Sequence, residues 1–154
     1  MQWTDLTSIL EEQSTVLDSL IALHERERIA LCRLDAAMLE EAVAEKNAVI
    51  EKFKALERRR VELLKKEGMD EKPLKELAAV APDEFAAQLL TIRKELRKKA
   101  EKLSEVQRMN CSLIVNAQLQ METLMSILGA VASRTYSPEG RVESDRASLF
   151  SRKA

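Results

Sequence analysis

The stretch from Asp83 to about Val131 constrains this chain more than any other. It carries no proline, and its one glycine is Gly129. It opens with Ala81-Pro82-Asp83-Glu84, and proline and acidic residues both suit the start of a helix, where backbone N–H groups lack partners. Phe85, Leu89, Ile92, Leu96, Leu103, Val106, Leu113, Ala117, Leu124, Ile127 and Val131 follow a three–four rhythm. That is the stripe of a helix packed on other helices. At 1.5 Å per residue it would run roughly 70 Å, too far to be stable without partners along its side.

The composition narrows what those partners are. Three glycines and three prolines in 154 residues leave few turns. Apolar residues make up 45% but aromatic residues only 3%, so the core must be aliphatic and narrow. One domain of few, long helices is the expectation. The net charge of −1 gives no bulk attraction to nucleic acid. Cys32 and Cys111 lack metal or redox spacing and read as small residues on helices. The N-terminus Met1-Gln2-Trp3-Thr4-Asp5 is not a signal peptide, and no run reaches the length of a membrane span. The expected location is therefore the cytoplasm, without direct membrane insertion.

A first helix is expected over about 4–33, capped by Thr4 or Asp5 and stapled by Trp3. Trp3, Leu6, Leu10, Leu17, Leu20, Leu31, Leu34 and Met38 mark its stripe, with Gln13, His24 and Glu27 in seam slots. His24 can be a buried polar residue, a surface residue or a ligand, although it has no co-ligands at helical spacing. Around Arg33-Leu34-Asp35-Ala36 the stripe shifts by one, continuing as Leu39, Ala42, Val49, Phe53, Leu56 and Leu63. The shift favours a hairpin turn with Asp35 as the new N-cap, although drift along one continuous helix gives the same pattern. The second helix, about 37–67, ends at Lys65-Lys66-Glu67-Gly68-Met69, with lysines at its carbonyl end and a glycine suited to the left-handed stop. Arg58-Arg59-Arg60 is diluted by Glu57 and Glu62 and reads as a solvated face. A short helix over 73–80 and the long one over 83–131 complete a helical domain 1–131, followed by a flexible tail 132–154.

The fold expected is all-α: an elongated antiparallel hairpin plus a long C-terminal helix in a coiled-coil-like bundle. The long helix has unlike halves. From Arg93 to Lys102 it is dense in charge, with Leu96, Ala100 and Leu103 holding the seam. From Met109 to Val131 the apolar positions cover more than one stripe. Leu113, Ile114, Ala117, Met121, Leu124, Met125 and Leu128 form a candidate binding surface, where methionines allow adaptable packing. Burial of this helix between the first two explains the same pattern, and periodicity alone supports both. Asn110 falls on a seam position, where a buried amide fixes register.

No phosphate-binding glycine loop, HExxH, paired cysteines or nucleophile elbow occurs. The helices offer carboxylates but nothing to desolvate one. The chain does not read as an enzyme and calls for no cofactor or metal.

Taken together, the Lys46-containing hairpin, the segment Asn110-Cys111-Ser112-Leu113-Ile114 and the tail Thr135-Tyr136-Ser137-Pro138-Glu139-Gly140-Arg141 resemble the FlgN family of flagellar type III export chaperones. The resemblance implies a chaperone of hook–filament junction proteins of the FlgK/FlgL type. Such a protein holds their C-terminal helical segments against premature assembly and delivers them to the export gate component FlhA. It places cargo contact in the apolar half of the long helix, at Asn110, Leu113, Ile114, Ala117, Met121, Leu124, Met125 and Leu128. It places gate docking at Tyr136, with Gly140 completing the Thr-Tyr-x-x-x-Gly pattern. The charged extension beyond Arg141 has no counterpart in that pattern. The alternative is a structural coiled-coil or homodimeric bundle in which both faces of the long helix are consumed. A nucleic-acid adaptor using Arg58–Arg60 and Arg93–Lys102 ranks third.

Overall fold

The computed structural model describes the backbone of residues 2–135 and side chains through residue 132. Among them are four helices and no strand: α1 (Trp3–Arg33), α2 (Ala36–Lys66), α3 (Leu74–Val80) and α4 (Asp83–Thr135). The chain divides into one unit over Met1–Ile114 and a second from Val115 onward.

The helix ends follow from local chemistry. α1 starts at Trp3, before either expected cap; Gln2 occupies the N-cap without a side-chain bond, and Asp5 falls in the first turn. At its other end Leu34 adopts the left-handed conformation, φ 55° and ψ 35°. Asp35 N–H donates to Ala30 O at 3.0 Å and Leu34 N–H to Leu31 O at 3.3 Å, the paired bonds of a Schellman stop. Asp35 then caps α2, its Oδ1 accepting from Met38 N–H at 3.0 Å. The break in the stripe is thus a tight turn. α2 ends by the same device: Met69 N–H donates to Leu64 O and Gly68 N–H to Lys65 O, with Gly68 at φ 65°. Pro73 and Pro82 precede α3 and α4, and their carbonyls accept the first bonds of each.

In the first unit α1 is the central helix. Leu6 and Leu10 meet Leu64 of α2, Leu77 and Ala78 of α3, and Leu89 and Ile92 of α4. Further along, Ile9, Val16, Leu17 and Leu20 pack with Leu56 of α2, flanked by Phe53 and Leu103. Ile9, Val16 and Leu23 form a second buried stripe beside the expected one, because α1 has neighbours on two sides. Leu34, expected in the stripe, is 86% exposed; the left-handed turn takes it off the helix face. Polar contacts give the directions. Gln13 pairs with Glu57 and Arg26 with Glu45, so α2 runs antiparallel to α1. Glu11 pairs with Gln88, Ser14 and Asp18 with Lys99, and the His24 carbonyl with Asn110, so α4 runs parallel to α1.

The second unit contains the remainder of α4. Every residue from 115 to 132 is exposed.

Candidate functional site

Two features of α4 stand out: a buried polar layer at Asn110 and an exposed apolar face after it. The layer is built by three helices. Asn110 is only 4% exposed, and its Nδ2 donates to the His24 carbonyl at 2.8 Å and to Glu27 Oε2 at 3.4 Å. Glu27, also buried, accepts from Lys46 of α2 on its other oxygen, Oε1. His24 Nδ1 lies 3.0 Å from Glu27 Oε2 and is buried without a hydrogen-bond partner among the described residues. Asn110 Oδ1 is buried without a hydrogen-bond donor among the described residues. Burial lowers the His24 pKa from its ordinary value and is the largest influence; Glu27 opposes it and Lys46 reinforces it. A buried charge is tolerated only when paired and hydrogen-bonded, and Lys46 together with Asn110 provides this for Glu27.

His24 is therefore a buried polar residue, and no cluster among the described residues could hold a metal ion. Gln13, His24 and Glu27 sit in seam slots of an otherwise apolar stripe, and that was the legible sign that polar partners face them. The partners themselves carried no comparable sign. Lys99 lies inside the charged run of α4 yet bonds Ser14 Oγ at 2.8 Å and Asp18 Oδ2 at 2.6 Å. Arg60 of the basic run folds back on Glu57, and this contact, ahead of the one from Gln13, lowers the Glu57 pKa.

The residues expected to meet cargo separate by burial. Asn110 is committed to the layer, so its amide is not free for a ligand. Leu113 is half-buried. Ile114 is 43% exposed, and Met121, Leu124, Met125 and Leu128 are 55–62% exposed. Ala117 is exposed as well. Turned at 3.6 residues per turn, Leu113, Ala117, Met121, Leu124, Met125 and Leu128 share an arc with Ile127 and Val131 of roughly 160°. A helix seated on a single seam needs about 100°. Glu122 is the one charged residue between Met109 and Ala132, and it falls outside this arc. Tyr136 and Gly140 lie outside the described residues.

These features define an all-α bundle protein with an uncovered apolar face on its last helix. The model of the family described as FlgN protein matches residues 1–144, and the chain belongs to that family. No curated protein and no solved structure gives a match. Membership in the family fits a flagellar export chaperone and implies binding of flagellar export substrates. No helix among the described residues is long and apolar enough to cross a membrane.

Proposed function

We propose that this protein is a cytoplasmic chaperone of type III flagellar export. It captures the C-terminal helical segments of hook–filament junction proteins of the FlgK/FlgL type and hands them to FlhA at the export gate. The observation that carries this reading is the exposed apolar arc on α4. A contiguous apolar patch of this kind marks an interaction surface, and an amphipathic helix can lay its own apolar face along it. Met121 and Met125 let one surface repack around related segments. Gate docking is assigned to Tyr136, with Gly140, on the family's tail pattern. The mechanism requires no chemistry: shielding an apolar helix stops it from polymerising, and moderate affinity permits release.

Calorimetry with a junction-protein C-terminal peptide tests the face. Met121→Glu is expected to weaken binding at least tenfold while the melting temperature holds, because residue 121 is exposed in the free protein. Unchanged affinity would overturn the assignment. Light scattering without peptide tests the homodimer reading, which requires a stable dimer that ignores added cargo. Tyr136→Ala is expected to leave cargo binding intact and weaken association with the cytoplasmic domain of FlhA; equal docking would remove Tyr136 from the site.

A further inference from the structure

The polar layer does more than fill a seam, because one carboxylate oxygen in it is contested. Glu27 Oε1 is held by Lys46. Glu27 Oε2 lies 3.4 Å from Asn110 Nδ2 of α4 and 3.0 Å from His24 Nδ1 of α1. With a neutral imidazole, Oε2 serves Asn110. Protonation makes both ring nitrogens donors, so a positively charged ring N–H then faces the same oxygen. Charge-assisted bonds are the stronger kind, so the protonated ring takes Oε2 by a small rotation. Asn110 is left with the His24 carbonyl as its single partner, since its Oδ1 already lacks a donor. The layer also changes from one cation and one anion to two cations and one anion, in a place where His24 and Glu27 are 8% and 5% exposed.

We propose that this layer is an acid-labile clasp, in which protonation of His24 draws Glu27 away from Asn110 and loosens the seat of α4 on α1. The groups facing His24 are Glu27 from its own helix, Lys46 from α2 and Asn110 from α4; only the first two titrate. Lys46 and burial oppose the added proton, and Glu27 favours it. Stability from the clasp is full above the ordinary imidazole pKa of 6.5 and is lost as pH falls below it. The layer lies one turn before Leu113, so the device acts on the helix that carries the apolar arc. It holds whether or not that arc binds cargo.

The test is amide hydrogen exchange of the full-length protein at pH 7.5 and 5.5, corrected for intrinsic rates and read on α4 near Asn110. The wild type is expected to open more at pH 5.5, by at most about tenfold, the limit for a group that titrates at 6.5 once opened. His24→Gln keeps a polar side chain that does not titrate, and it is expected to abolish the difference. An equal pH effect in His24→Gln, or none in the wild type, would overturn the clasp. A second measurement needs no variant. His24 is the single histidine, so its ring resonances titrate alone in the folded protein. A midpoint below 6.5 supports the clasp, and one at or above 6.5 overturns it.

Discussion

Leu34 and Gly68 perform the same backbone task with opposite side chains. Both sit in the left-handed region, at φ 55° and 65°, where each closes a helix with a Schellman pair of bonds. A leucine there costs about 1–2 kcal/mol against the right-handed conformation, and its exposed side chain recovers nothing by packing. Leu34→Gly is therefore expected to raise stability by about 0.5–1 kcal/mol, net of the extra freedom glycine gives the unfolded chain. Gly68→Ala is expected to lower it by about 1 kcal/mol through conformation alone, because an added Cβ would meet nothing within 4 Å. Denaturant titration of both variants checks the pair. The sequence announced both turns, but it marked the left-handed residue in only one of them. Gly68 followed by Met69 after two lysines is a recognisable stop. Leu34 looked like a stripe residue, because nothing in a leucine reveals that the backbone beneath it has turned left-handed. The neighbouring Asp35 was the readable sign, as a short acidic side chain where the stripe changes phase.

At the scale of the helix, α4 shows why an apolar pattern and a buried pattern are different things. Its rhythm runs unbroken from Phe85 to Val131, but burial follows it only as far as Asn110, with Leu113 half-covered. Periodicity reports which face is apolar; it does not report whether a neighbour is there. The same gap hid Lys99, whose charge suggested solvent while its long stem carries the ammonium to Ser14 and Asp18. In α1 the expected single stripe became two, since a central helix must satisfy two neighbours. Gly129 offers a test of the arm itself. A Cβ at this position meets nothing within 4 Å, and glycine inside a helix costs roughly 0.5–1 kcal/mol against alanine. Gly129→Ala is expected to increase helicity by circular dichroism. If affinity for the junction-protein peptide drops at the same time, the peptide approaches α4 closely at that point.

At the scale of the whole molecule, the first unit is held by aliphatic contacts that converge where four helices meet. Leu6, Leu64, Leu77 and Leu89 are all fully buried there, one from each helix. α3 has seven residues and could not persist as an isolated helix, so Leu77 and Ala78 are what fix it. Leu77→Ala is expected to cost about 2–5 kcal/mol, a loss readable by thermal melting, while cargo binding by folded protein stays unchanged. The all-α architecture and the order of helices could be read from the sequence because turn residues are so few. The parallel course of α4 beside α1 could not, since it depends on which faces meet. That course has a kinetic consequence. The side-chain bonds joining α1 to α2 close loops of 19–44 residues, whereas those joining α1 to α4 close loops of 77–86. Loop closure costs more as the loop lengthens, and distant pairs form later. On a ribosome the hairpin is complete before the second half of α4 has been made. Of the four helices described, the last to be synthesised is then also the last to dock, and substitutions at its contacts should speed unfolding more than they slow folding.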